Sequence, residues 1–350
     1  MKQIIKSTIN YLLIGTILMF CLSSIIYSID LEHVISHYED EQIVKKIQYY
    51  ETHKEKYNTI FIGTSRIYRQ VNPFLFDSLT NETSSYNASH ANLRPYRSYD
   101  YAYFLNLDEN VKNVFIEMVP PSRIGGNYNA NPELFSINYH KYFSIIDFCL
   151  KSNFPLKFKA YYFLNYSQTF FYKYLGFGLK KYIALIADDH EADLEPLFYD
   201  IDKTQGYLPY EAELALHKNQ NLIKRRESFL QNSAQILSQS IKNSNTPNIG
   251  NDISKDQYIQ DLIDLENHLR EKNIKVYHIV SPRKKPWDLA YIESMKRFVS
   301  GDVIDLSSPT KYPEFYEEMY SFDTNHLNKA GSRLFTKELF KIYDESNQSN

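Results

Sequence analysis

Three residues that together could make a nucleophilic site stand far apart in this sequence. The first is Ser65, in the segment Phe61-Ile62-Gly63-Thr64-Ser65-Arg66. An apolar, β-rich run ends at Gly63, and the serine follows two positions on. In parallel sheets, ligands bind outside the carboxyl ends of the strands. A serine placed there faces a pocket and stands near the start of the next helix, whose amides can support a developing oxyanion. The same residues also read as a turn or a helix N-cap. The other two are Asp323 and His326, in Phe322-Asp323-Thr324-Asn325-His326-Leu327-Asn328. A serine hydroxyl needs a base, and that base needs a carboxylate to hold its tautomer and stabilise the imidazolium. Asp323 and His326 can meet within one turn of chain. The alternative is that Asp323 or Asn325 caps the following helix and His326 lies on the surface. No metal-ligand spacing stands out, and neither a metal nor a cofactor is expected.

Positioning a serine in this way calls for an α/β sheet, and the two ends of the chain supply its pattern. Asn58 to Gly63, Val111 to Val119, Ile274 to Val280 and Val303 to Leu306 read as short buried strands. Pro120-Pro121 and Pro282 stop two of them. Helical patterns fall at Ser98 to Leu107, Lys255 to Lys272 and Asn328 to Tyr343. Strands alternating with helices over short connections predict a parallel α/β sheet.

The formal charge is −3, from 39 Lys+Arg against 42 Asp+Glu, which gives no support to a nucleic-acid partner. Only 2 cysteines are present, too few for a disulfide scaffold or a Cys-rich zinc site. The N-terminus fixes the expected compartment. Tyr11 to Tyr27 is an uncharged run of about 17 residues, about 25 Å as a helix and the short end of a bilayer span. Lys2 and Lys6 precede it, whereas Asp30, Glu32 and Glu39 follow. The positive-inside bias predicts a single-pass membrane protein with an extracytoplasmic C-terminal portion, periplasmic or at the cell surface. A cleaved signal peptide is the rival, but the run is not followed by a good small-x-small site. Residues 1–30 are thus expected to be an anchor, followed by a helix over His33 to Lys56.

Residues 31–350 are expected to form one α/β domain interrupted by a helical, aromatic insertion at about 127–252. Aromatic residues are abundant, with 31 Tyr and 22 Phe against 1 Trp. They crowd the segment from Phe154 to Ile186, which reads as an insertion core or a membrane-facing surface. The segment Asn232 to Asp252 is rich in Ser, Asn and Gln and reads as a loop or linker.

Taken together, strand-Gly63-Thr64-Ser65-Arg66 and Asp323-Thr324-Asn325-His326-Leu327-Asn328-Lys329-Ala330-Gly331 resemble the SGNH (GDSL-type) hydrolase superfamily. The order Ser, Asp, His and the Asp–His spacing both match. The Thr64 and Arg66 variant is similar to membrane-anchored members associated with cell-envelope polysaccharide acetylation and teichoic-acid alanylation. The resemblance covers Asn58 to Pro121 and Ile274 to Tyr343 and leaves out the middle. It implies a three-layer, flavodoxin-like fold, with Ser65 as nucleophile, His326 as general base and Asp323 as its orienting acid. Within the block Ser85 to Pro95 it offers Asn92, Asn87 or the Ser89 amide as oxyanion donors. The family's third block has an Asn after a strand, but here Glu117-Met118-Val119-Pro120 stands instead, so that donor is unassigned.

The resemblance further implies acyl transfer on an envelope polysaccharide, as O-acetyltransferase or esterase. A membrane O-acyltransferase is a possible partner. The alternatives are a hydrolase of lipids or small esters, and an inactive scaffold for such an acyltransferase. Arg66 is a candidate for binding an anionic substrate group or for pairing with a carboxylate. His90 is a candidate for substrate contact or a structural histidine. Arg283, Lys284 and Lys285 read as a solvated basic loop or as contacts to an anionic polymer.

Overall fold

The computed structural model describes residues 1–27, 41–91, 102, 105, 107, 109–120, 137, 139–151, 156–176, 199–216, 219–245 and 257–348. In chain order the elements are α1 (Lys2–Tyr27), α2 (Glu41–His53), β1 (Thr59–Ile62), α3 (Ser65–Gln70), α4 (Pro73–Asp77), β2 (Ser85–Asn87) and β3 (Asn113–Glu117). They continue with α5 (Tyr139–Lys151), α6 (Leu156–Tyr174), α7 (Ile201–Thr204), α8 (Tyr210–Leu216), α9 (Gln220–Ser244) and α10 (Gln257–Glu271). The chain closes with β4 (Lys275–Val280), α11 (Pro286–Met295), β5 (Asp302–Asp305) and α12 (Lys329–Gln348). Two compact units result, one of Met1–Val44 with Gly125–Glu195 and one of Lys45–Ile124 with Pro196–Asn350. The expected insertion at 127–252 therefore divides between them.

In the second unit, five parallel strands run in the order β2-β1-β3-β4-β5. That is the order of flavodoxin-like doubly wound sheets, with a switch point between β1 and β3 where the chain turns from one half of the sheet to the other. Both faces are buried, so the middles of the central strands, residues 60–62 and 114–116, are continuous apolar runs rather than alternations of apolar and polar residues. Register places Phe61 beside Phe115 and Phe115 beside Tyr277. Their rings stack across the sheet with centroids 4.7 Å apart at each step. Helix α12 covers this ladder with Phe335, Leu339 and Tyr343, spaced four residues apart on one face. Part of the aromatic excess is thus a core device of the sheet. Asn328 Oδ1 accepts the Gly331 amide at 2.9 Å and caps the start of α12, so neither Asp323 nor Asn325 is needed as the cap.

Strands β1, β3 and β4 fall within the expected segments, and β5 overlaps its segment but begins one residue earlier, at Asp302. β2 was not anticipated as a strand, because Ser-Tyr-Asn carries little β signal. The expected linker from Asn232 is corrected: α9 continues to Ser244, with a kink at Asn232 (φ −131°, ψ 17°). Leu222, Phe229, Ser233 and Leu237 form its buried stripe, and a polar composition concealed that narrow periodicity. Residues 246–256 lie outside the described residues, as does most of the helix expected at Ser98 to Leu107.

In the first unit, α1 has a segment, Ile5–Tyr27, of 23 residues and mean hydropathy 2.1, long and apolar enough to cross a membrane. Side chains such as Ile9, Leu13 and Ile17 stand exposed. Its C-terminal end meets α5 and α6 in an aromatic cluster. The Phe20 ring lies 5.2 Å from Tyr174, and Tyr142 stacks on Phe170 at 4.2 Å. Ser24 Oγ and Tyr139 Oη are hydrogen-bonded at 2.6 Å. Helix α6 supplies Phe170 and Tyr174 to this cluster while leaving Leu156, Phe163 and Leu164 exposed.

Gly63 couples the sheet to the helix that follows. A Cβ there would lie 2.4 Å from Ile67 Cγ1 and 2.9 Å from Glu117 Cβ. Gly63→Ala should therefore lower stability by about 1–3 kcal/mol, read from denaturant unfolding of the detergent-solubilised protein. Unchanged stability would contradict the packing described.

Candidate active site

β1 ends at the switch point, and Gly63-Thr64 turns the chain directly into α3. Thr64 is the N-cap of that short helix, its hydroxyl accepting the Arg66 amide at 3.3 Å. The turn is fastened by Glu117, the last residue of β3 and fully buried. Glu117 Oε2 accepts the Thr64 amide at 2.9 Å and the Thr64 hydroxyl at 2.7 Å. Glu117 Oε1 accepts the Ser281 hydroxyl at 3.1 Å and Lys284 Nζ at 2.7 Å. Burial by itself would raise the Glu117 carboxyl, but Lys284, Arg66 and these donors bring it down to about 2. The carboxylate is thus ionised, and it binds together the carboxyl ends of β1, β3 and β4.

Ser65, partly exposed, opens α3. Its Oγ lies 2.8 Å from His326 Nε2. His326 Nδ1 lies 2.9 Å from Asp323 Oδ1 and 3.1 Å from Oδ2. An ionised Asp323 can only accept, so Nδ1 carries the proton and Nε2 accepts from Ser65. Asp323 Oδ1 also accepts the Asn325 amide at 2.8 Å and the His326 amide at 2.9 Å. Arg225 Nε pairs with Asp323 Oδ2 at 2.7 Å. Burial works to raise the Asp323 carboxyl, but the His326 contact and Arg225 hold it well below the usual carboxylate range. His326 is lowered from the ordinary value of 6.5, by burial above all and further by Arg66 and Arg225, against the upward pull of Asp323. The imidazole is therefore neutral at pH 7. The Tyr210 ring meets it edge-on at 5.0 Å, and Phe322 stacks on Tyr210 at 4.6 Å.

The remaining sequence candidates are placed differently. Asn87 is fully buried, and its amide nitrogen donates to Ile67 O at 3.0 Å and Val71 O at 2.8 Å. Its side-chain oxygen accepts the Ser89 amide at 3.1 Å, and the Ser89 hydroxyl donates to Phe61 O at 3.2 Å. Both Asn87 and Ser89 are thus corrected: their donors tie the end of β2 to α3 and β1 and are not presented to an oxyanion. Asn92 lies outside the described residues. Of the two readings of His90, its surroundings favour the structural one. The imidazole is buried, stacked beside Tyr68 at 6.2 Å, and pushed down to about 3 by burial together with Lys46 and Arg69.

Arg66 is buried too. It donates to Pro282 O, to Arg283 O at 3.3 Å and to Asn325 Oδ1 at 3.4 Å, a clamp between α3 and the Asp323–His326 loop rather than a surface anion site. Of the expected solvated loop only Lys285 is exposed. Arg283 is buried, donating to Phe315 O at 2.6 Å, Asp323 O at 3.0 Å and Ser321 Oγ at 2.5 Å. Sequence reasoning missed the roles of Glu117 and Arg225. A lone carboxylate ending an apolar strand level with Gly63 was a signal for the first. Nothing distinguished Arg225 within Lys224-Arg225-Arg226.

No protein-family model matches the chain, and comparison with curated proteins gives no match.

The electrostatics make a prediction that does not depend on turnover. By NMR titration, His326 should protonate below pH 6.5. Arg225→Gln removes a nearby positive charge and should move that titration upward. A downward or absent movement would contradict the arrangement.

Proposed function

We propose that this chain is a membrane-anchored serine acyl-transfer enzyme of the SGNH type. It would act on ester groups of an extracytoplasmic envelope polysaccharide, as O-acetyltransferase or esterase. The observation that carries this reading is the continuous hydrogen-bonded line from Ser65 Oγ through His326 to Asp323. The flavodoxin-like strand order and the placement of Ser65 beyond the end of β1 support it further. The apolar α1 supports the membrane assignment, and Lys2 and Lys6 before it support an external catalytic portion.

In this mechanism Ser65 Oγ attacks the acyl carbonyl carbon while its proton passes to His326 Nε2. The imidazolium is stabilised by Asp323, which Arg225 and two backbone amides keep ionised. Collapse of the tetrahedral adduct breaks the bond to the leaving alcohol, which takes the proton from Nε2. Water or a sugar hydroxyl then attacks the seryl ester by the reverse sequence of proton transfers. The nucleophile's own amide, at the first position of α3, is the oxyanion donor this chain supplies. The Thr64 amide is held by Glu117 and does not serve. A missing donor costs roughly 3–4 kcal/mol of transition-state stabilisation, so slow turnover of simple esters is expected.

The engagement of Asn87 and Ser89 elsewhere favours a second reading, an inactive scaffold for a membrane acyltransferase. Labelling with a fluorophosphonate separates the two. Wild type should label and Ser65→Ala should not, and His326→Ala should slow labelling by about a thousandfold or more. Absence of labelling, or equal labelling of Ser65→Ala, would favour the scaffold.

A further inference from the structure

Helices α5 and α6 form an antiparallel hairpin. Near its base the Tyr142 and Ser167 hydroxyls are hydrogen-bonded at 2.9 Å, and Tyr142 stacks on Phe170. Toward its tip Cys149 Sγ donates to Lys159 O at 3.5 Å. The base is packed on α1. The Phe20 ring lies 6.0 Å from Phe170 and 6.1 Å from Tyr139. Leu175 shares a groove with Thr16 and Met19. Gly176 comes so close to α1 that a Cβ there would lie 2.7 Å from Met19 Cε.

These contacts set a depth. The apolar segment of α1 ends at Tyr27. Met19 and Phe20 lie about 10–12 Å before that end at the helical rise. An α1 that spans the bilayer therefore holds the base of the hairpin about that far inside its own apolar span.

The outward-facing side chains suit the same surroundings. On α5, Phe143 and Leu150 are 62% and 76% exposed, and their spacing of two turns puts them on one face. On α6, Leu156 and Leu164 are 81% and 63% exposed, again two turns apart, and Phe171 continues that face. Helix α6 contains no Asp or Glu, and Lys157 is the one charged residue exposed among its described positions. Helix α9 of the other unit shows the opposite arrangement, burying Leu222, Phe229 and Leu237 and exposing Lys224 and Glu227. Exposed Tyr161 and Tyr172 add amphipathic rings of the kind that favour the membrane–water boundary. Lys157 can lay its aliphatic stem along lipid and keep its ammonium at the headgroups.

We infer that α5 and α6 make a second membrane contact, a hairpin lying in the outer leaflet with Phe143, Leu150, Leu156, Leu164 and Phe171 against acyl chains. The partner is the lipid bilayer, because the hairpin is packed on α1 within the apolar span. This goes beyond anchoring by a single helix. It rests on the membrane part of the proposed function and not on the chemistry at Ser65.

The test uses the full-length protein with Cys21→Ser and Cys149→Ser, carrying one added cysteine labelled with bimane. The sites are Phe143→Cys and Leu164→Cys on the hairpin, Leu13→Cys as the membrane control and Leu216→Cys, exposed on the other unit, as the water control. The protein is reconstituted into phosphatidylcholine–phosphatidylglycerol vesicles, with quenching by brominated acyl chains compared with quenching by iodide on both sides. Both hairpin labels should be quenched by brominated lipid at least half as strongly as the label at Leu13→Cys. Both should be shielded from iodide at least threefold relative to Leu216→Cys. Iodide quenching as strong as at Leu216→Cys, with Leu13→Cys still quenched by lipid, would overturn the inference and leave the anchor standing. Shielding from iodide without quenching by brominated lipid would overturn it in favour of a protein cover, such as a second copy of the chain. Loss of lipid quenching at Leu13→Cys would reject the anchor itself and the inference with it.

Discussion

The buried carboxylate of Glu117 is the contact on which the geometry of the site depends. It takes both the amide and the hydroxyl of Thr64, together with Ser281 and Lys284. Three adjacent strands therefore end in one shared set of hydrogen bonds, and the turn that carries Ser65 is fixed to the middle of the sheet. A buried ion pair of this kind contributes little net stability by itself, because desolvation offsets the attraction. Removing one partner is another matter and costs about 3–5 kcal/mol, since a buried charge is left uncompensated. What the network supplies is position. Glycine at 63 is required so that Ile67 and Glu117 can approach the turn from either side.

A second carboxylate positions His326 as the first positions Ser65. Asp323 receives two backbone amides, the His326 ring and Arg225, so its charge is fully used within the fold. Arg66 and Arg283 link the two networks, Arg66 through Asn325 and Arg283 through Asp323 O. Arg66 and Arg225 also lean on His326, which is kept neutral and able to accept a proton. Behind both networks the stacked Phe61, Phe115 and Tyr277 form a rigid wall under α12. The aromatic abundance thus serves more than one purpose, in this ladder and in the cluster where α1 meets α5 and α6.

Much of the sheet was legible because buried parallel strands are short apolar runs ended by Gly or Pro, and Phe61–Gly63 and Ile274–Val280 are of that kind. The approach of Ser65 to His326 was legible as two local motifs whose spacing suits one chemistry, although 261 positions separate them. The oxyanion candidates were not, because what engages Asn87 is a pair of carbonyls, Ile67 O and Val71 O, that reach it only through the folded path of α3. Charged residues misled in the same way. Arg283 and Lys284 read as a solvated loop and Arg66 as an anion-binding or ion-pairing residue, yet all are buried, since each finds oxygen acceptors that exist only in the folded chain. Helix α9 was concealed by composition, its Asn and Gln residues lying around a thin buried stripe that itself includes Ser233.

The central claim is that Ser65 carries the acyl group. Brief reaction of the full-length protein with an activated acetyl ester, followed by acid quench and peptide mass spectrometry, tests it directly. The account predicts an acetyl group on the Ser65 hydroxyl that is absent from His326→Ala at the same time point. An ester consumed with no adduct at Ser65, or an adduct at another residue that persists in Ser65→Ala, would contradict it.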